Sequence, residues 1–394
     1  MGKDRDIHFS NKELYSGAED IFIEKDNHSI SLFHFPGDPE NMKRLKVETG
    51  LLSIEFLPAR GMTPGKAVYD DLKIFWDPPA EFNDPDNFDP FSDEICINGK
   101  PATGFSMLKT LYGGIELYGL KNWGMPVMDA NQQILYPLHG EASNIPVDYI
   151  TIIVDKETVI IKTELIYRDI YSGDKNGKWY ENGESLYKIF RLFLLDGTIG
   201  DILVRDRITN VSSRTLNPDW GYHITLNPEP ASRLIVPSES MELRRGGSLP
   251  DDPSLWLPAN DDKVREETGI IHKSILQAGP EKLNPALLVY PDDTGILIET
   301  TPAPYYQTWF CRGGRSGKEF TWKENGLPVF DKNWDGQGIE IGSSALDHDG
   351  NTDPSVNYKN ELEPGESIEI QINISVLDSQ ETLRVRESFD RGSD

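Results

Sequence analysis

Short runs of alternating apolar and polar residues, bounded by turn signals, fill most of this chain. "DYITIIVDKETVIIKTELIYRD" is two β-branched runs on either side of "DKET", the pattern of a hairpin. "YKIFRLFLLDGTIGDILVRDRITNVS" is a second pair around "DGTIGD", and "ALLVYPDDTGILIETT" repeats the plan with "PDDTG" as its turn. "SIEIQINISVL" alternates strictly and predicts a late strand with one buried face. Helical periodicity is confined to "LDSQETLRVRESF" near the C-terminus, with Asp378 or Ser379 as its cap. The fold class is therefore all-β. No fixed-period repeat or linker-like break divides the strands, which are expected from about residue 45 to about residue 378 as one large antiparallel assembly within a single 1–394 domain. Before residue 45 the chain reads as an N-terminal extension. Three turn-rich segments, near 77–100, 171–185 and 243–262, read as surface insertions of the kind that builds a binding rim.

Composition narrows the partners. The formal net charge is -26, and an excess of that sign disfavours nucleic acid and anionic membranes, because phosphate binding needs clustered Lys and Arg. It suits a soluble protein with a neutral ligand. No stretch approaches the ~18–20 consecutive apolar residues of a membrane span, and "MGKDRDIHFS" has no apolar leader segment, so a cytoplasmic location is expected. The two cysteines, Cys96 and Cys311, lack metal-ligand spacing; a disulfide between them is open, with reduced thiols the default.

Seven histidines punctuate the chain, and two sit in unusual settings. His139 lies in "YPLHGEASNIP", a loop of small residues that cannot pack a large core but can hold one imidazole in a fixed place. His223 lies in "NPDWGYHITLNPEP", where a turn-rich segment enters a strand. A lone histidine is most often a satisfied structural residue. Among 65 acidic residues, Glu340 in "NWDGQGIEIGSS" stands out. Its glycines permit close backbone approach, and Ile339 and Ile341 suggest a half-buried carboxylate whose pKa is raised toward the working range of a general base. Glu299, in "GILIETTPAP", is a second, plainer candidate. Arg60, in "LPARGMTPG", ends an apolar strand and could clamp hydroxyl oxygens, although an ordinary salt bridge is the commoner use. Trp123, Trp220, Tyr222, Tyr305, Tyr306, Trp309 and Trp334 cluster near these motifs. Sugar rings present C–H faces to such planes, but most aromatics of an all-β chain are core. There is no phosphate-binding glycine loop, no G-x-S-x-G elbow, no HExxH and no zinc-type His/Cys spacing, so neither metal nor cofactor is expected.

The order "LPARG", "LYGGIELYGLKNWG", "PLHGEASNIP", "WGYHITL", "GIE" and "LEPGES" resembles the aldose 1-epimerase (galactose mutarotase-like) superfamily, and within it the branch designated DUF4432. The resemblance implies a β-supersandwich, two large curved antiparallel sheets with a sugar cleft on one concave face. It implies that His223 protonates the ring oxygen and that Glu340 removes the proton of the anomeric hydroxyl, the two meeting on opposite sides of a pyranose-sized hollow. It further implies that His139 and Arg60 hold the sugar, with Asn122, Trp123 and Trp309 in the cleft wall. Two departures from the branch are visible: Glu141 stands where an arginine is usual, and no proline follows "GIE".

The implied substrate is a monosaccharide or small sugar derivative, and a homodimer stays open. Two other functions share this pattern. Lyase or hydrolase chemistry could use the same sandwich, the first wanting a basic groove and a Tyr or Lys, the second two carboxylates about 5–9.5 Å apart. A non-catalytic carbohydrate-binding protein would keep the aromatics and Arg60 but could dispense with His223 or Glu340.

Overall fold

The computed structural model describes residues 6–15, 19–36, 38, 42–80, 88–170, 178–261, 264–277, 281–314, 317, 319–330, 332–347, 349–353 and 361–391. Two large antiparallel sheets carry the architecture. The back sheet has nine strands in the order Asp6–Ser10, Tyr149–Val154, Thr158–Arg168, Ser185–Asp196, Asp201–Asn210, Ser367–Leu377, Gly295–Thr300, Asn284–Val289, Arg233–Ile235. The front sheet has six, in the order Ile115–Leu120, Asp219–Leu226, Gly336–Gly342, Tyr305–Arg312, Glu266–Ile275, Ser238–Leu243. A further six-stranded sheet runs from Ile21–Lys25 through Arg44–Thr49 to Leu72–Lys73. The expected hairpins around "DKET", "DGTIGD" and "PDDTG" are all formed.

The period-2 alternation explains why the sheets stack. In "SIEIQINISVL", Ile370, Ile372 and Ile374 are buried, while the residues between them face outward and pair with side chains of the neighbouring strand. Opposite them, Trp220, Tyr222 and Ile224 from one front strand, and Ile339 and Ile341 from the next, enter the same core cluster. Each fully buried branched side chain contributes roughly 1.5–3 kcal/mol through the apolar surface it removes from water. The front sheet's other face bears a second cluster that includes Trp76, Tyr118, Trp123, Trp309 and Trp334.

The structure departs from the sequence reading at the N-terminus. Strands begin at Asp6, not near 45: Asp6–Ser10 pairs with Tyr149–Val154 at the edge of the back sheet. The polar, short character of this segment hides a strand whose partner lies 140 residues away in sequence, a pairing that local pattern does not reveal. The three turn-rich segments are also more structured than loops. Ile95–Ile97 pairs with Phe320–Trp322. Trp256 is buried and donates its indole N–H to the Cys311 carbonyl at 3.1 Å, which ties the 243–262 segment to the front sheet. Parts of all three segments lie outside the described residues. The C-terminal helix, Ser379–Arg391, starts where expected: Asp378 accepts the backbone N–H groups of Gln380 and Glu381, and the Glu381 carboxylate accepts the Asp378 N–H in return. Among the described residues no helix is long and apolar enough to cross a membrane. Cys96 and Cys311 are both free thiols.

Candidate functional site

The cleft-side face of the front sheet is read out by alternation along four adjacent strands. Glu116 and Tyr118, then His223 and Thr225, then Glu340, then Tyr305, Gln307 and Trp309 all point away from the core cluster. Antiparallel pairing puts His223 directly opposite Glu340 on the neighbouring strand, and Gln307 opposite Glu340 on its other side. A cleft of ≈360 Å³ opens above them, within the size range of small-molecule sites. His139, His223 and Glu340 line it together, with Trp309 and Trp334 among the walls.

His223 and Glu340 stand side by side on the cleft floor, with Nε2 3.4 Å from Oε1, and not across a hollow from each other as expected. The His223 ring is held between Tyr118, centroid 5.7 Å away, and the edge of Trp309 at 4.9 Å. Its Nδ1 meets the Thr225 hydroxyl at 2.7 Å, which leaves Nε2 for the cleft. Glu340 is fixed through its second oxygen: Gln307 Nε2 donates to Oε2 at 2.8 Å, and Tyr305 O–H donates to Gln307 Oε1 at 2.7 Å. The tyrosine donor sets the orientation of the Gln307 amide, so Gln307 must present N–H to the carboxylate.

The charge state of Glu340 also differs from the sequence reading. Burial pushes its carboxyl upward, as expected. The hydrogen bond and charge of His223, with the charge of Arg244, outweigh that push and hold the carboxyl below the ordinary carboxylate range. Glu340 is thus kept ionised.

The His139 loop owes its shape to backbone in the left-handed region. His139 has φ 56° and Gly140 φ 69°, and a Cβ on Gly140 would sit 2.8 Å from the Gly119 carbonyl oxygen. The loop backbone is pinned by Gly119 N–H to the His139 carbonyl and His139 N–H to the Gly124 carbonyl. His139 Nδ1 lies 2.6 Å from the Trp123 carbonyl oxygen, an acceptor only, so Nδ1 carries the proton and Nε2 of the neutral ring is a bare acceptor. Burial, the largest influence, lowers the His139 pKa and keeps the ring neutral. The ring stacks on Tyr118 at 4.7 Å and 10°.

Three of the expected residues are buried and support the site without lining the cleft. Arg60 is the last residue of a short 3-10 turn, Pro58–Arg60, is fully buried, and bonds Glu116 at 3.2 Å; Glu116 in turn accepts the Tyr118 O–H at 2.8 Å. Arg60 reaches the cleft only through Tyr118. Asn122 is buried and spends its amide on the Gly124 and Met125 carbonyls. Trp123 lies against the cleft-side face of the sheet, in space that a Cβ on Gly221 or Gly342 would occupy at 2.5 and 2.3 Å from its ring. That explains Gly342, two residues after Glu340. Glu299 belongs to the back sheet, beside Asn373, remote from the cleft. Glu141, the departure from the branch pattern, is buried against Tyr167 O–H at 2.9 Å and does not line the cleft.

Sequence reasoning missed two residues. Gln307 was legible as a polar position two residues from Trp309 in "YYQTWF", hence on the same face. Arg244 gave no such signal, because it sits in a segment whose pattern reads as surface loop.

The fold defined by these sheets is that of galactose mutarotase-like proteins. Residues 40–172 match the model of the family DUF4432, a domain of unknown function. That stretch contains Arg60, the "LYGGIELYGLKNWG" strand and the His139 loop. Among solved structures, the chain is similar to a candidate aldose 1-epimerase from Klebsiella pneumoniae, with a TM-score of 0.72 and 17% identity over 99% of this chain and 96% of that one. It is also similar to a galactose mutarotase-like protein from Clostridium acetobutylicum (TM-score 0.53, 13% identity, 90% and 100% of the two chains). A candidate mutarotase from Salmonella typhimurium gives a TM-score of 0.52 at 11% identity, over 89% and 94%. At these identities the likeness concerns the fold. No curated protein sequence matches the chain.

Proposed function

We propose that the protein interconverts the anomers of a reducing sugar, the reaction of an aldose 1-epimerase. The observation that carries this reading is the cross-strand pair on the cleft floor, His223 Nε2 and Glu340 Oε1 at 3.4 Å. Opening a cyclic hemiacetal moves two protons at two oxygens bonded to the same carbon. An acid and a base held side by side suit that geometry. Glu340, held ionised, takes the proton of the anomeric hydroxyl; His223, in its protonated form, gives one to the ring oxygen, and the C1–O bond to the ring breaks. Rotation about C1–C2 presents the other face of the carbonyl. The ring hydroxyl then attacks, returning its proton to His223, while the carbonyl oxygen recovers the proton from Glu340. The cycle closes with both groups as they began. His139, with Nε2 as acceptor, takes a hydrogen bond from a sugar hydroxyl and fixes the ring, and Trp309 offers an apolar surface beside it. Arg60, Asn122 and Trp123 act by positioning: Arg60 through Glu116 and Tyr118, Trp123 through the carbonyl that orients His139.

Hydrolysis wants a second cleft carboxylate acting on the bond. The other two lining carboxylates, Glu267 and Glu319, are both engaged by arginine. Proton-transfer groups are typically worth ~10²–10⁴ in rate, so Glu340→Gln should lower anomer interconversion by that factor while the protein stays folded. Polarimetry of freshly dissolved sugars checks it, and wild-type rates in the variant would remove Glu340 from the mechanism.

A further inference from the structure

The walls of the cleft are chemically unlike its floor. The groups placed to bond a sugar hydroxyl gather at His139, His223 and Glu340. Among the described residues that line the cleft there is no Asn, Gln, Ser or Thr, and the Tyr118 hydroxyl is spent on Glu116 at 2.8 Å. Charge along the rim is balanced. Three guanidiniums, Arg244, Arg245 and Arg265, meet three carboxylates, Glu267, Glu319 and Glu340, and each guanidinium is ion-paired. The guanidiniums and carboxylates of the described lining thus leave no surplus of either sign to hold an ionic group.

The rest of the wall is apolar and continuous. Ile97, Phe105, Leu108 and Met125 line the cleft, each partly exposed and packed against the cluster that holds Trp123 and Trp309. Two anchors place this wall against the site. The Leu138 N–H donates to the Gly104 carbonyl at 2.8 Å, which sets Phe105 beside the loop that carries His139. Ile97 pairs with Phe320 on the neighbouring strand, and the Phe320 ring stacks on Trp334 at 5.5 Å and 29°. The apolar surface therefore runs from the His139 loop to the rim, where Arg265 lies over those two rings. A hydroxyl pressed against such a surface gives up its bonds to water without replacement. Each methylene that leaves water there multiplies affinity about fourfold. A plain hexose is hydroxylated all round its ring, so with C1 over His223 and Glu340 it turns hydroxyls toward this wall.

We infer that the substrate is a reducing sugar bearing an uncharged, apolar substituent of several carbons (alkyl, acyl or aryl) on the part of the ring remote from C1, seated on Ile97, Phe105 and Leu108. This rests on the anomer-interconversion reading, which puts C1 over His223 and Glu340, and it keeps the neutral ligand suggested by overall charge. The cleft volume of ≈360 Å³ lies near the lower end of small-molecule sites, which limits the substituent to a short chain or a single ring. The flexible thioether of Met125 lets the wall fit either shape.

The test is calorimetric binding of glucose, galactose and their 4-O- and 6-O-butyryl and benzoyl esters, all with C1 free, to the wild-type protein and to Phe105→Asn and Leu108→Asn, with anomer exchange of the same sugars followed by NMR. The expected result is that at least one ester binds about tenfold or more tightly than its parent sugar, and that at least one of the two variants removes most of that gain. Both variants alter partly exposed residues, and the wild-type ranking of esters against parents decides the matter if neither folds. Parent sugars binding as tightly as every ester, or a gain that both folded variants leave unchanged, would overturn the inference, and anomer exchange of the parent sugars would then leave the proposed reaction standing. A gain for the esters that the variants remove, without anomer exchange, would uphold the substituent and sink the proposed reaction. Binding of none of the sugars would overturn both.

Discussion

Replacing Gln307 by methionine tests how the site holds the Glu340 carboxylate. The side chain is nearly isosteric, so packing changes little, but two hydrogen bonds vanish at once. Glu340 loses its Nε2–H donor at 2.8 Å, and the buried Tyr305 hydroxyl loses its acceptor at 2.7 Å. A hydrogen bond to a charged group contributes ~1.5–3 kcal/mol, and stranding a buried hydroxyl costs about 1–3 kcal/mol, so the variant should be roughly 3–5 kcal/mol less stable at pH 7. The donor acts only on the ionised carboxylate. Its loss therefore raises the Glu340 pKa from a value held below the ordinary range. The sign follows directly. A depressed carboxyl contributes stability above the unfolded carboxyl range and loses it as pH falls through the folded value. The deficit of the variant is thus largest at neutral pH and narrows in acid. Urea unfolding at several pH values gives the stability arm. The acid limb of kcat/KM gives the second, moving upward in the variant. A limb that does not move, with a stability loss under ~1 kcal/mol, would show that Gln307 does not orient the carboxylate.

Other outcomes follow from buried groups near the cleft. His272 is buried between the Ser238 and Thr308 hydroxyls, and burial brings its pKa down to about 4. Its neutral form is favoured in the fold, so stability falls as pH drops below ~6.5, by about 2 kcal/mol between pH 7 and pH 5; His272→Gln should flatten that slope, and an unchanged slope in urea titrations would count against it. Arg60→Met strands the buried Glu116 carboxylate and should destabilise by roughly 3–5 kcal/mol, much of it regained in the double variant Arg60→Met/Glu116→Gln. If Arg60 acts only through Tyr118, the double variant keeps its KM while kcat drops; a raised KM with intact kcat would instead mean direct contact with the sugar.

Much of the fold is legible in the chain because strands with one buried face announce themselves. "SIEIQINISVL" buries Ile370, Ile372 and Ile374 as its alternation demands, and Asp378 caps the last helix through side-chain oxygens that its position foretells. The strand Asp6–Ser10 was illegible, since its partner is remote and its residues are mostly polar. In the site, motif order brought His139, His223 and Glu340 to notice, and the cleft holds all three. Motif order does not encode depth. Arg60 and Trp123 are buried and do not line the cleft, and burial alone misjudged Glu340, because the groups that reverse its shift, His223 and Arg244, come from separate parts of the chain. Long-range convergence of charge is invisible to local pattern.

Because His223 and Glu340 face each other in an antiparallel ladder, their spacing is set by backbone pairing and not by loops. A slip of one residue would turn both side chains into the core and expose Tyr222 and Ile341. The facing of the pair is consequently binary with respect to strand alignment. The rim, by contrast, hangs on turns such as "RRGG" that can change length or charge without disturbing that alignment. A lineage built on this scaffold can remodel its cleft mouth while inheriting the His223–Glu340 pair untouched.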